Sequence, residues 1–234
     1  MQFIDLKAQQ DRIRPQINAA INKVLDHGQY IMGPEVFELE ERLADYVGVK
    51  HCVSCASGTD ALLMALMAHG VGPGDAIFTT PFTFVATGEV ISLLGATPIF
   101  VDIDCRTFNI DPQKLDEAIL NFDEPLKPRG IISVDLFGLP AAYDAINDIA
   151  KKYRLFVIED SAQGFGGEYN GRKVGGLAEI ATTSFFPAKP LGCYGDGGAI
   201  FTDNEELANI LCSIRIHGKG TNKYDNVRIG VNGR

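Results

Sequence analysis

The chain has 234 residues, of which 46% are hydrophobic and 22% are charged, and its formal net charge at pH 7 is −9. This composition is typical of a globular protein with enough apolar material for a core. The acidic balance argues against a general nucleic-acid binder or a binder of anionic membranes, because both need basic patches. No apolar run is long enough to cross a membrane, and the polar start, MQFIDLKAQQDRIRPQ, is unlike a signal peptide. We therefore expect a soluble cytoplasmic protein.

In chain order, the sequence begins with two helical patterns and then alternates strands with helices. Apolar spacing predicts helices over residues 4–28 and 33–48. Seven short apolar runs are predicted as strands: HCVSC, AIFTT, PIFVD, GIISVD, LFVIED, TTSFF and AIFTD. Five helical patterns lie between or after them: TDALLMALMAH, FVATGEVISLLG, DPQKLDEAIL, AAYDAINDIAKKY and NEELANILCSIRIHG. This alternation predicts an α/β fold with a mostly parallel seven-stranded sheet and helices on both faces.

The cysteines do not form a regular framework. There are five, an odd number without regular spacing, at Cys52, Cys55, Cys105, Cys193 and Cys212. HCVSC contains a CxxC beside a histidine, but a zinc site needs a second ligand pair and none appears. We predict no metal site, and we interpret this segment as a short buried strand with small thiol side chains.

In such sheets, ligands bind beyond the carboxyl ends of the strands. After the first strand, Ser57, Gly58 and Thr59 stand where a loop enters a helix. Free backbone N–H groups and the helix dipole suit an anion such as a phosphate at that position. An ordinary N-cap by Ser57 or Thr59 is the alternative. The spacing fits neither a P-loop nor a dinucleotide-binding GxGxxG.

Two further strand ends carry an aromatic and an acidic candidate. Phe82 and Phe84 follow the second strand, where a ring could cover a flat ligand, and plain core packing is the alternative. Glu159 and Asp160 end the fifth strand, where a carboxylate is desolvated unless a cation or a hydrogen-bond donor meets it. A helix cap by Asp160 is the alternative.

Lys189 lies in the segment SFFPAKPLGCYGDGGAI, between two prolines and ahead of several glycines. These residues specify a backbone shape, which is unusual for a solvated surface lysine, the alternative interpretation. An anion cradle, an aromatic cover, a buried acid and a fixed lysine at one sheet edge are the features that pyridoxal 5′-phosphate (PLP) needs. A lysine bonds to its aldehyde, an aspartate pairs with its pyridinium nitrogen, and a helix N-terminus holds its phosphate.

Four segments resemble, in order and at similar separations, motifs of the DegT family of PLP-dependent sugar aminotransferases: SGTDAL, PFTFVAT, IEDSAQGFGG and SFFPAKPLGCYGDGGAI. The entrance GQYIMGPEVFELEERLADYVG is similar too, so the resemblance extends over essentially the whole chain. It implies an aspartate-aminotransferase-like fold. Residues 1–234 would then be a PLP fold type I large domain with an N-terminal helical segment.

The resemblance also implies roles at the reacting end of the cofactor. Lys189 is expected to bond to the aldehyde and, once displaced, to move a proton between the amine-bearing carbon and the cofactor. Asp160 is the expected partner of the pyridinium nitrogen. Gln163 is expected at the phenolic oxygen, and Phe84 over the ring.

At the phosphate, the resemblance implies Gly58, Thr59 and Ser184. Asn232 matches a family asparagine that reaches the phosphate of the neighbouring subunit, which implies a homodimer with shared active sites. The tail that carries it, KGTNKYDNVRIGVNGR, offers little to pack, and we expect Asn232 to be poorly fixed.

The lysine segment is most similar to the branch that aminates a 3-keto sugar on a nucleotide, the UDP-2-acetamido-2-deoxy-3-oxo-glucuronate aminotransferases. This implies a nucleotide-sugar substrate, L-glutamate as amino donor, and a place in surface polysaccharide (O-antigen) biosynthesis. A sugar dehydratase of the same family is disfavoured, because those proteins replace the lysine with histidine and this chain keeps Lys189.

Family members continue past VNGR with more helix and a smaller C-terminal domain that helps to close the site. We therefore expect that small domain to be absent from this chain, which would then be either a fragment of a longer protein or a truncated gene product. A second hypothesis follows from it: a truncated, catalytically weak PLP-binding remnant, or a dimerisation partner.

Overall fold

The computed structural model describes residues 4–222 and 224–234. Within them, the α-helices are α1 Leu6–His27, α2 Pro34–Val47, α3 Gly58–Ala68, α4 Ala86–Leu93, α5 Pro112–Leu120, α6 Tyr143–Tyr153 and α7 Glu205–Arg215. The strands are β1 His51–Cys55, β2 Asp75–Thr79, β3 Thr97–Phe100, β4 Lys127–Val134, β5 Phe156–Asp160, β6 Glu168–Tyr169, β7 Arg172–Lys173, β8 Ile180–Ser184 and β9 Gly198–Thr202. One turn of 3₁₀ helix, Leu136–Gly138, follows β4.

Seven of the strands form one sheet in the order β1-β9-β8-β5-β4-β2-β3. Strands β3, β2, β4, β5 and β8 run parallel, while β9 is antiparallel to both of its neighbours. This sheet contains all seven of the predicted strands and confirms the predicted fold class.

Two details differ from the prediction. The sixth predicted strand, TTSFF, begins and ends two residues earlier, at Ile180 and Ser184, because the chain turns away from the sheet after Ser184. A small hairpin, β6–β7, was not predicted, since each strand has only two residues. Its turn, Asn170-Gly171, has positive φ at both residues, as two-residue hairpin turns require.

Helices cover both faces of the sheet. One face packs against α3, α4 and α7, and the other against α5 and α6. Neighbouring strand residues divide between them: Ile132 and Ile158 belong to the first core, Ile131 and Val157 to the second. Such strands are buried on both sides, which explains why they read as continuous apolar runs.

Helix α1 is the exception, since its 22 residues include no buried side chain. It ends at Gly28, whose φ of 70° gives the left-handed cap that glycine adopts at low cost. Lys23 and His27 of α1 both reach the carboxylate of Glu35 in α2, at 3.1 Å. No helix in the described part of the chain is long and apolar enough to span a membrane.

The CxxC segment is a buried strand, as interpreted from the sequence. Cys52 and Cys55 are free thiols in β1. Burial raises the pKa of both, that of Cys55 to about 12, which keeps them protonated and unreactive. Among residues 4–222 and 224–234, no group of three or more His, Cys, Asp or Glu is placed to hold a metal ion.

The tail after α7 is held by backbone hydrogen bonds, so the expectation of a poorly fixed Asn232 is wrong. The N–H of Val231 donates to the carbonyl of Ile214 at 2.8 Å, and that of Gly233 donates to Arg215 at 3.0 Å. Asn232 itself pairs with Ile216 in an antiparallel bridge. The tail needs no large side chains, because its backbone docks on the end of α7.

Candidate active site

A cavity of about 850 Å³ opens at the carboxyl ends of the central strands. It is lined by seven of the eight site residues expected from the sequence: Gly58, Thr59, Phe84, Asp160, Gln163, Ser184 and Lys189. Asn232 is the eighth; it is exposed and is not among the lining residues. Residues more than 130 positions apart in the sequence therefore meet at one place.

The N-terminus of α3 forms one end of the cavity. The hydroxyl of Ser57 accepts the N–H of Asp60 at 3.0 Å, so Ser57 is an N-cap. Gly58 and Thr59 are the first two residues of the helix, where backbone N–H groups have no partner within the helix. The capping alternative therefore holds for Ser57, and the anion-site interpretation applies to its neighbours Gly58 and Thr59.

Two glycines bring this helix end against the sheet. A Cβ on Gly58 would lie 2.6 Å from the Cβ of Ser184, at the end of β8. A Cβ on Gly198, at the start of β9, would lie 2.4 Å from the carbonyl oxygen of Ser57. Side chains do not tolerate such distances, so only glycine lets the strand ends approach the start of α3 this closely.

Asp160 ends β5 and is buried, with 5% of its surface exposed. Its Oδ2 accepts a hydrogen bond from the hydroxyl of Thr87 at 2.9 Å, and its Oδ1 accepts the N–H of Ala162 at 3.3 Å. Burial raises the pKa of Asp160, while the two hydrogen bonds and the positive charge of Lys189 oppose that rise. The residues after Asp160 form a turn, so it does not cap a helix.

The side chain of the neighbouring acid, Glu159, lies on the opposite face of the sheet from the cavity. Successive strand residues point to opposite sides of a sheet. Glu159 accepts hydrogen bonds from the N–H groups of Gly175 and, at 2.8 Å, Leu177. Its burial is complete and raises its pKa to about 7. Of the two acids that the sequence analysis noted, only Asp160 faces the cavity.

The segment between β8 and β9 presents Lys189 on a constrained loop. Phe185 donates its N–H to Gly197 at 2.7 Å and accepts that of Cys193 at 2.8 Å, which closes the loop at its base. The N–H of Lys189 donates to Phe186 at 2.8 Å. A Cβ on Gly192 would lie 2.4 Å from the carbonyl oxygen of Pro187, so the loop folds back on itself. Lys189 is half-buried and lines the cavity, unlike a freely solvated surface lysine.

Aromatic side chains stand at the cavity mouth. Phe84 lines the cavity and is 66% exposed, so core packing does not explain it. Phe82 packs against Phe108 and Phe137, with ring centroids 5.7 and 6.2 Å away. Phe137 also lines the cavity, and its N–H donates to Oε1 of Gln163 at 3.0 Å. Because this bond occupies the carbonyl oxygen of Gln163, its NH₂ group is the end that remains available to another partner.

Sequence reasoning did not assign several lining residues, among them Thr83, Thr87, Phe137 and Asp196. For the two threonines a signal was present. They lie four residues apart on either side of Phe84, which places both on one side of a helical turn.

A half-buried lysine, a buried carboxylate and a helix N-terminus line one cavity of this α/β sheet, and the fold is that of type I PLP enzymes. The sequence comparison gives the family. A profile of the DegT/DnrJ/EryC1/StrS aminotransferase family matches residues 11–234, and the chain belongs to that family.

Individual relatives agree with this assignment. The chain is 56% identical over 234 residues to a UDP-2-acetamido-2-deoxy-3-oxo-D-glucuronate aminotransferase of Pseudomonas aeruginosa, covering 100% of this chain and 64% of that protein. A crystal structure of a family aminotransferase from Brucella abortus superposes with a TM-score of 0.96 at 52% identity, covering 100% of this chain and 63% of that one. The chain thus spans slightly less than two thirds of these relatives.

The family's cofactor is PLP, as the sequence predicted. A Bacillus subtilis relative, solved with bound cofactor PMP, has a TM-score of 0.90 and 34% identity and covers 100% of this chain and 52% of that one. The cavity fits such a group. It has a helix end with unpaired N–H groups, a cradle that a Cβ on Gly58 would fill, a buried carboxylate, and a lysine.

Proposed function

We propose that the protein is an aminotransferase that moves an amino group from L-glutamate to a keto sugar carried on a nucleotide. The observation that carries the proposal is the convergence of Lys189, Asp160 and the start of α3 on one cavity. When bound there, PLP supplies an electron sink for the proton transfer at the amine-bearing carbon.

Lys189 and Asp160 would do the proton chemistry. Lys189 would hold the cofactor through Nζ, with the aldehyde oxygen leaving as water, and its amine, once freed, would move a proton between the amine-bearing carbon and the cofactor. Its short, closed loop keeps the freed amine within reach. The carboxylate of Asp160 would hold the proton on the pyridine nitrogen, and its burial would strengthen that pairing because little water competes.

Four other residues and the start of α3 would orient the cofactor. Phe84 would cover one face of its ring. Gln163 would direct its NH₂ to the phenolic oxygen, because its own carbonyl oxygen already accepts the N–H of Phe137. At the other end, the first N–H groups of α3 and the hydroxyls of Thr59 and Ser184 would bind the phosphate.

The substrate half of the proposal rests on the relatives. The Pseudomonas protein at 56% identity is named for a UDP-linked 3-keto sugar acid. We infer the same substrate class here, a UDP-3-keto sugar on its way to a surface polysaccharide, and a cytoplasmic enzyme to meet it.

We also infer a homodimer, in which residues 1–234 are the large, cofactor-binding domain. Asn232 supports this. It is exposed, its backbone is fixed on α7, and it is not among the lining residues of its own chain's cavity. An asparagine so placed is available to the phosphate of a second subunit.

The test separates the two half-reactions. The purified chain, loaded with PLP, is mixed with L-glutamate, and conversion of PLP to PMP is followed by absorbance. UDP-2-acetamido-2-deoxy-3-oxo-D-glucuronate is then added, and amination is followed by mass spectrometry. Product formation that depends on Lys189 supports the proposal. Cofactor capture without either half-reaction would favour a PLP-binding remnant instead.

A further inference from the structure

Two threonines form a hydrogen-bonded chain that ends on the buried acid. The hydroxyl oxygens of Thr83 and Thr87 lie 3.0 Å apart, and the hydroxyl of Thr87 donates to Oδ2 of Asp160 at 2.9 Å. All three side chains line the cavity. Thr87 is buried, with 1% of its surface exposed.

The direction of this chain follows from counting hydrogens. A threonine hydroxyl has one proton to donate. That of Thr87 goes to the carboxylate, so the bond between the threonines must be donated by Thr83. Each bond polarises the next in the same sense, which strengthens the donation to Asp160.

Thr87 also supplies a side-chain hydrogen bond to Asp160. Within residues 4–222 and 224–234, it is the one side chain with a hydrogen bond to Asp160; the other bond comes from the backbone N–H of Ala162. A hydrogen bond to the charged form of an acid favours that form. Without Thr87, Oδ2 would be a buried oxygen with no donor.

The same pair links the acid to the aromatic cover. Thr83 precedes Phe84 in the segment that leads into α4, and Thr87 is the second residue of that helix. The N–H of Thr87 donates to the carbonyl of Phe84 at 3.2 Å, so the backbone of Phe84 is tied to the residue that holds Asp160. The backbone of Phe84 and the carboxylate of Asp160 are therefore linked through one residue, Thr87.

We infer that Thr87, supported by Thr83, is a positioning residue for the reaction proposed above: it keeps the carboxylate of Asp160 ionised and aimed into the cavity, in register with Phe84. The inference rests on the proposed function, because it assigns these threonines to its pyridinium-binding acid. Thr87 acts through Asp160.

The charges around Asp160 set the expected pH effect. Lys189 faces it from the β8–β9 loop and favours its ionised form. Asp135, which follows β4, and Glu159 on β5 are acidic neighbours; burial raises the pKa of Asp135, and the charges of Glu159 and Asp160 add to that rise. Since burial already raises the pKa of Asp160, loss of the Thr87 hydroxyl would move it further up and leave more of the acid neutral.

The experiment uses the full chain loaded with PLP and four variants. Thr87→Val removes the hydroxyl at nearly constant shape, Thr87→Ser keeps it, and Thr83→Val removes only the second donor. Thr79→Val is the matched control: Thr79 is fully buried and donates to the carbonyl of Ile132 at 3.0 Å, outside the cavity. The readouts are the pH dependence of the bound cofactor's absorption spectrum, its dissociation constant, and the glutamate half-reaction.

Thr87→Val should shift the pH profile of the bound-cofactor spectrum and slow the half-reaction about tenfold or more, the usual worth of a hydrogen bond to a buried charge. Thr83→Val should do the same to a smaller extent, Thr87→Ser should restore both properties, and Thr79→Val should change neither. The cofactor's dissociation constant should stay within a few-fold of that of the unaltered chain.

Two results would overturn the inference: an unaltered pH profile in Thr87→Val, or Thr87→Ser as impaired as Thr87→Val. If Thr87→Val does not fold, Thr83→Val decides in the same way. Failure of the proposed function looks different, because the unaltered chain would then not convert PLP with glutamate, while the spectral profiles would still report on Asp160.

Discussion

Gly58 and Ser184 approach so closely that a Cβ on Gly58 would lie 2.6 Å from the Cβ of Ser184. The start of α3 and the end of β8 are therefore in direct backbone contact. The contact places the unpaired N–H groups of a helix beside a strand-end hydroxyl, the arrangement that we propose binds the cofactor's phosphate. This close approach requires a residue without a side chain, which is why position 58 is glycine.

Gly58→Ala should weaken PLP binding and lower stability by about 1–3 kcal/mol, the usual cost of overpacking. The added methyl group must push α3 away from Ser184, which moves the N–H donors. PLP titration by fluorescence and urea unfolding would measure the two effects. Gly72→Ala is the control, since a Cβ there meets nothing within 4 Å. Equal PLP affinity in the two variants would contradict the close-contact argument.

Lys189→Ala should abolish covalent capture of PLP. The chain offers this amine to the cavity from a closed loop, and we expect its loss to remove both the visible absorption band and the PLP-sized mass increase after borohydride treatment. Lys151→Ala removes an exposed lysine of α6 and should keep both signals. A borohydride-trapped adduct that persists in Lys189→Ala would assign the bond to another lysine.

Asp160→Asn should leave PLP bound but slow the glutamate half-reaction by on the order of a hundredfold or more. Asparagine can still accept the hydroxyl of Thr87, but it carries no charge to keep the pyridine nitrogen protonated. Single-turnover absorbance measures the rate, and equilibrium dialysis measures the affinity. Near-normal turnover with normal affinity would remove Asp160 from this role.

The seven strands were predictable because each is a short apolar run, the central ones buried on both faces, and such runs alternate here with helical spacing. The cavity was predictable in part, because the carboxyl ends of these strands must share an edge. Gly58, Asp160 and Lys189 stand at those ends.

What the sequence did not reveal depends on distant contacts. Thr87 reaches an acid 73 residues away, and Gln163 receives a donor from Phe137, 26 residues away. No local pattern encodes such distances. The tail was misjudged for a related reason, because its stability comes from backbone hydrogen bonds to α7 rather than from apolar side chains.

The buried acid on the other face leads to a prediction about pH and stability. The pKa of Glu159 rises from 4.5 to about 7 in the folded chain, chiefly because burial disfavours its charge. Between these values the unfolded chain loses the proton and the folded chain keeps it. The free energy of unfolding should therefore fall as pH rises from about 4.5 to 7, by at most about 1.4 kcal/mol per pH unit for this group. Asp135, whose pKa is also raised by burial, adds a slope of the same sign.

Glu159→Gln should flatten this dependence, because the side chain no longer titrates. The variant should also be less stable at pH 5, since one amide oxygen cannot accept from both Gly175 and Leu177. Urea unfolding at pH 5, 6 and 7 would give the slopes. Glu117→Gln, on the exposed side of α5, removes the same charge without burial and should leave the curve nearly unchanged. If the Glu159→Gln curve ran parallel to that of the unaltered chain, Glu159 would already be ionised throughout this range, and the Gly175 and Leu177 N–H groups would outweigh its desolvation.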